Sequence, residues 1–191
     1  MKLDDALLAQ HGRSPGVEDL LGKELPEFDR ADPRFGFVFM GPERSTAGRR
    51  DFLAFAEVVD EGADRIGLDV STGEVRAFSL DSGRTAYVND SVSSLLFFLD
   101  HMIAFAIIVD ELDPDPPPMT LTVEESQRLV ERFERGELRP RVDRSKTKEN
   151  QAILKRELRA LRALLRERDA KALRGSAWWG RVIDEFSDVL V

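Results

Sequence analysis

Between Arg65 and Val88 the apolar positions recur every second residue, and beyond Ser91 they crowd onto every turn of a helix. Ile66, Leu68 and Val70 alternate with Arg65, Gly67 and Asp69, the period of a half-buried strand. Ser71-Thr72-Gly73 is a short hairpin loop whose glycine supplies a positive φ. Glu74 to Ser79 pairs back, Asp81-Ser82-Gly83 turns again, and Thr85 to Val88 forms the last strand. Upstream, Phe35 to Met40 reads as a strand bounded by Gly41-Pro42, followed by a polar loop from Glu43 to Arg50. Phe52 to Val59 is a second strand, although Ala54 and Ala56 keep a helix open there. Loops this short join antiparallel neighbours, because a parallel crossover needs a dozen residues or more. The pattern predicts an antiparallel meander of four or five strands.

Asn89 or Ser91 caps the next element by accepting a backbone N–H of its first turn. This helix runs to about Glu111 and is apolar almost all round, so it is expected between the sheet and further helices. Its run from Val92 to Val109 is interrupted by Asp100 and His101; a charge at mid-membrane costs a few kcal/mol, which argues against a membrane span. Before the sheet, a brief helix follows Asp4-Asp5, and Ser14-Pro15 opens another that closes near Leu25-Pro26. After the apolar helix, residues 113–122 form a proline-rich connector. Thr122 and Glu125 make a capping box for a helix from Val123 to Arg135. A long helix from about Glu149 to Leu173 carries a seam of Leu154, Leu158, Leu161 and Leu165. The last helix, Trp178 to Val191, sets Trp178, Val182, Phe186 and Val189 on one side. The expected architecture is α+β: a central antiparallel meander sheet packed by a buried apolar helix, with a helical C-terminal third. Residues 1–191 read as a single domain, with 123–174 as a helical extension or insertion.

Charge changes the picture in one respect. The net charge is −8, but residues 1–119 hold 23 acidic and 11 basic side chains, whereas residues 120–191 hold 13 and 17. An acidic body repels nucleic acid and attracts basic proteins. The basic stretch from Arg128 to Arg174 keeps an alternative open, a nucleic-acid-associated protein acting through the helix at 149–173; Phe133 is its one aromatic residue for base stacking.

Candidate chemistry is sparse. The chain has no cysteine, which removes disulfides, thiolate zinc sites and a cysteine nucleophile and fits a reducing interior. The N-terminus lacks the pattern of a signal peptide, so a cytoplasmic setting is expected. His11 and His101 fall in no metal-binding spacing, and no nucleophile elbow or phosphate-cradling glycine loop is present, so neither an enzyme, a metal nor a cofactor is expected. Asp60, Glu61 and Asp64, with Asp69, form an acidic turn; aspartates beside glycine also serve hairpin loops, so the functional reading is partner contact rather than catalysis. Adjacent helical residues point about 100° apart. One tryptophan of Trp178-Trp179 therefore shares the face of Phe186; Trp178 is expected in the core and Trp179 at the surface, as a contact for a partner.

Asp64-Arg-Ile-Gly-Leu-Asp69, the turn Thr72-Gly73-Glu74-Val75, and Tyr87-Val88-Asn89-Asp90-Ser91-Val92 opening an apolar helix follow one another in a familiar order. With Trp178-Trp179, Val182-Ile183 and Phe186 near the C-terminus, they resemble the SUKH (Smi/Knr-like) superfamily, closest to its bacterial immunity branch common in actinobacteria. The resemblance covers about fifty residues and rests on turns and caps. It implies an intracellular, non-catalytic protein that binds a polymorphic toxin, of nuclease or deaminase type, and protects the producing cell. The alternative within the superfamily is a regulatory interaction module without a toxin partner. Neither reading fixes an oligomeric state.

Overall fold

The computed structural model describes residues 17–18, 20, 22–27, 35–59, 64–112, 127–128, 130–131, 135 and 144–189. Five strands follow in chain order: β1 (Phe37–Ala47), β2 (Arg50–Val58), β3 (Arg65–Asp69), β4 (Val75–Phe78) and β5 (Thr85–Asn89). They pair as one antiparallel sheet in the order β1-β2-β3-β4-β5, the meander that the short loops predict. The helices described in full are α1 (Val92–Leu112), α2 (Arg144–Asp169) and α3 (Trp178–Val189). The segments at 1–16, 113–122 and most of 123–135 expected from the sequence lie outside the described residues.

β1 departs from expectation. It continues through Gly41-Pro42 to Ala47, where a strand end and a polar loop were expected. β1 is an edge strand, so the N–H that Pro42 lacks is not needed on its outer side. The register slips between Phe39 and Glu43, absorbing the Gly41-Pro42 pair as an irregularity. β2 is a strand throughout, and a bulge between Ala54 and Ala56 turns Phe55 and Ala56 together toward the main core.

The sheet has two buried faces of very different size. Leu53, Phe55, Ile66, Leu68, Val75, Ala77 and Val88 face the helices in the main core. Ala47, Phe52, Ala54 and Phe78 form a separate small cluster on the other side. There the rings of Phe52 and Phe78 stack 4.2 Å apart, reaching across β3 from its two neighbours. Two features let the sheet curl this far. At Gly67 an added Cβ would lie 2.6 Å from the Leu53 carbonyl oxygen and 2.7 Å from the Ala54 Cα. At the far end the turns at Gly48 and Gly83, both with positive φ, touch each other, and a Cβ on Gly83 would come 3.0 Å from the Gly48 nitrogen. Gly67→Ala is therefore expected to spread β2 from β3 and cost about 2 kcal/mol, the usual range for overpacking. Denaturant unfolding checks this, and an unchanged midpoint would contradict the close approach.

Ser91 caps α1: its Oγ accepts the Ser94 N–H at 3.2 Å and its carbonyl accepts the Leu95 N–H at 3.0 Å. Asn89, the other candidate cap, is buried and used elsewhere. Val92, Leu95, Phe98, Leu99, Met102 and Phe105 pack α1 into the main core. Its length and composition alone would suffice to cross a membrane. It lies between the sheet and α2, as expected, with Ile107 at 50% exposure on its open side.

α2 lays Leu154, Leu158, Leu161 and Leu165 into the core as the seam predicts. It begins earlier than expected, at Arg144, and ends at Asp169 rather than near Leu173. A series of tight turns then leads to α3: Ala172 N–H to Asp169 O, Arg174 N–H to Lys171 O, and Ala177 N–H to Arg174 O.

Candidate partner-binding surface

The predicted contact residues fall into three different environments. Asp60 and Glu61 lie outside the described residues. Asp64 is half-buried where β2 leads into β3. Its carbonyl accepts the Val58 N–H, its N–H donates to Phe78 O, and its Oδ2 accepts the Leu80 N–H at 2.6 Å. It ties the β2–β3 connection to the start of the β4–β5 turn.

Asp69 is only 1% exposed. Its Oδ1 accepts from the Ser71 N–H at 3.0 Å, the Ser71 hydroxyl at 2.6 Å and the Thr72 N–H at 3.3 Å, an Asx turn closing the β3–β4 hairpin. Arg50 donates to its other oxygen at 3.2 Å. Burial pushes this carboxyl up, but the bonds from Ser71 and Thr72 and the Arg50 charge together hold it below the usual aspartate value. Asp69 thus works within the hairpin, with almost no surface to offer a partner.

Trp179 reverses its expected exposure and is fully buried. Its ring meets Phe35 at 5.9 Å and Phe98 at 5.7 Å, and its Nε1 donates to Asn89 Oδ1 at 2.8 Å. Trp178 packs against Phe37 at 6.0 Å, with the Arg181 guanidinium 5.1 Å from its ring. The first turn of α3 is wedged between core neighbours, so two side chains 100° apart are both enclosed. Gly180 makes the wedge possible, because a Cβ there would collide with the Arg174 carbonyl.

Behind Trp179 lies a buried polar knot that the sequence pattern does not reveal. Oδ2 of Asp169 accepts from the Tyr87 hydroxyl at 2.9 Å, the Asp90 N–H at 3.0 Å and the Asn89 amide at 3.4 Å. Its Oδ1 accepts the Lys171 and Ala172 N–H groups at 3.1 and 3.3 Å. Burial first, then the hydrogen bond to Asp169 and its charge, push the Tyr87 phenol well above its ordinary value. Beside it Lys171 Nζ sits 3.8 Å from the Tyr87 ring centre and 2.8 Å from Glu74. A carboxylate ending a helix, where the dipole disfavours an anion, is the one sequence-level hint of this knot.

Two surface depressions remain. One, of about 140 Å³, lies between α2 and α3 and is lined by Arg162, Arg166, Leu173, Gly180, Ile183 and Asp184. Arg162 is occupied there, donating to Asp184 at 2.8 Å and to the Ser187 hydroxyl at 2.9 Å. The other is an open groove of about 360 Å³, lined by Glu24, Leu25, Pro26 and Glu27 on one wall and Leu96 and Asp100 of α1 on the other. Three of those six residues are acidic and none is basic. Sequence reasoning missed this groove because its walls are some seventy residues apart; the isolated Asp100 in an apolar helix is the only local sign of it. Among the described residues no group of three His, Cys, Asp or Glu side chains is placed to hold a metal ion. His101 turns its Nδ1 to the Phe97 carbonyl at 2.8 Å, within its own helix.

The sequence model of the SUKH-4 immunity protein family matches residues 19–185, which takes in the sheet, α1, α2, most of α3 and the groove. The chain belongs to the SUKH-4 immunity protein family. No curated protein and no solved structure matches it significantly. Membership in SUKH-4 points to an immunity role, the neutralisation of a toxin, with a protein as the partner. The acidic groove is an open concave feature whose walls carry three carboxylates.

Proposed function

We propose that this protein protects its own cell, in the cytoplasm, by binding a cognate polymorphic toxin and occluding its active face without any chemistry of its own. The family match over residues 19–185 carries this reading. The charge distribution supports a nuclease or deaminase as the target. Such toxins hold nucleic acid in basic grooves, and an acidic partner meets them with fast, steered association. Residues 1–119, a stretch that includes the sheet, α1 and the groove, carry 23 acidic against 11 basic side chains. Asp64 stays a proposed contact at the rim of the sheet, in line with Asp60 and Glu61 beside it in the chain. The alternative reading through the basic helix is weakened, because Arg162 is bound to Asp184 and Arg168 donates to Ser94.

Coexpression with the toxin domain encoded in the adjacent reading frame tests the proposal. Growth should be restored and the two proteins should copurify. Unrestrained toxicity with no complex would overturn it.

A further inference from the structure

One face of α1 is mostly turned to solvent, and only its first member, Leu96, packs partly against the main core. Leu96, Asp100, Ala104, Ile107 and Glu111 recur at intervals of three and four residues and so form a single stripe. Asp100, Ala104, Ile107 and Glu111 are exposed, and Leu96 is half-buried. A half-exposed isoleucine flanked by alanine and set between carboxylates has the composition of an interface, with an apolar centre and a charged rim. At its N-terminal end the stripe forms one wall of the acidic groove.

The opposite wall is held in place within the protein itself. Leu25, 1% exposed, is anchored in the main core, so its neighbours Glu24 and Glu27 are presented at the surface. Lys23 Nζ donates to Ser93 Oγ at 3.2 Å and fastens this segment to the start of α1. Lys23, next to Glu24 in the chain, is thus spent on the scaffold. A preformed wall loses little conformational freedom when a partner docks.

We infer that the groove and the α1 stripe form one continuous docking face for a basic amphipathic segment of the toxin. Its apolar side chains cover Leu96, Ala104 and Ile107, and its Lys or Arg side chains sit among Glu24, Glu27 and Asp100. This assignment rests on the immunity reading. Charge decides the occupant: pairing of this face with itself in a second copy would set carboxylates against carboxylates. An anionic membrane surface meets the same repulsion. A cationic protein segment relieves it.

The test is calorimetric titration of the full-length protein with the toxin domain encoded in the adjacent reading frame. The wild type is compared with Asp100→Lys, with the double variant Glu24→Lys/Glu27→Lys, and with Ile107→Asp. All four positions are exposed, so thermal unfolding should stay close to wild type. Each variant is expected to weaken binding at least about tenfold, and combining the three charge reversals at least about a hundredfold. Wild-type affinity should fall with added salt, and less steeply in Asp100→Lys. Hydrogen exchange on the wild-type complex supplies a readout free of substitutions, with protection expected over residues 23–27 and 96–111. Wild-type binding with unaltered variants and no protection there overturns the docking face while leaving the immunity role standing. No binding by the wild type overturns both. Self-association abolished by Ile107→Asp, with toxin binding intact, assigns the face to a second copy and overturns the inference.

Discussion

Trp179→Ala is expected to remove about 4 kcal/mol of stability, the range for truncating a buried tryptophan. A domain of this size has roughly 5–15 kcal/mol in total, so the loss brings it close to unfolding at 37 °C. The reason is position. Trp179 is fully buried, joins α3 to Phe35 before the sheet and to Phe98 of α1, and donates its indole N–H to Asn89 at the end of β5. Trp178 is a control built into the same turn, because its Nε1 is buried without a hydrogen-bond partner among the described residues. Trp178→Phe forfeits no hydrogen bond, whereas Trp179→Phe leaves the Asn89 carbonyl oxygen unpaired at an added cost of about 1–2 kcal/mol. Urea unfolding followed by far-ultraviolet circular dichroism separates them. Equal midpoints for the two phenylalanine variants would contradict the role given to the Trp179–Asn89 bond.

The second large effect is expected at Asp169. Asp169→Ala strips the acceptor from the buried Tyr87 hydroxyl and Asn89 amide and from the backbone N–H groups of Asp90 and Lys171, while the Ala172 N–H keeps the Asp169 backbone carbonyl. Leaving such donors unsatisfied costs about 3 kcal/mol in total, after some recover water. The same knot predicts an alkaline transition. Because the folded Tyr87 keeps its proton where the unfolded phenol loses it, near pH 10, the native state binds the extra proton. Stability from this group is therefore fully present below about pH 10 and declines above it, by about 1.4 kcal/mol per pH unit. In Tyr87→Phe that component of the slope should vanish. Identical decline in wild type and Tyr87→Phe between pH 9 and 11 would show that the phenol is not linked to folding.

How much of this was legible in the sequence follows from how local each cause is. The hairpin at Ser71-Thr72-Gly73, the turn at Gly83 and the cap at Ser91 depend on a few neighbouring residues, and all three stand where the sequence sets them. The leucine seam from Leu154 to Leu165 is equally local, a matter of helical period. β1 was cut short because the tolerance for Pro42 depends on its strand lying at the sheet edge, which nothing near Pro42 encodes. The burial of Trp179 is not legible because the helical period specifies directions, not neighbours, and α3 has core on more than one side. Asp169 looks like one more charge on a charged helix until its five donors, three of them more than seventy-five residues away, are seen together. The acidic groove is the extreme case. Glu24 and Glu27 acquire meaning only when Leu25 docks them beside Asp100. The scaffold is thus readable from turns and caps, while the proposed docking face is made by tertiary contact alone.

The central claim is that a SUKH-4 fold acts here by stoichiometric binding and not by chemistry. The most direct measurement adds the purified protein stepwise to the toxin domain encoded in the adjacent reading frame and follows that toxin's activity on its substrate. The account predicts a linear fall to the baseline, complete at a fixed molar ratio and unchanged by longer incubation, with the inhibited toxin recovered as an intact complex. Full toxin activity in the presence of excess protein, or inhibition by substoichiometric amounts that deepens with time, would contradict it.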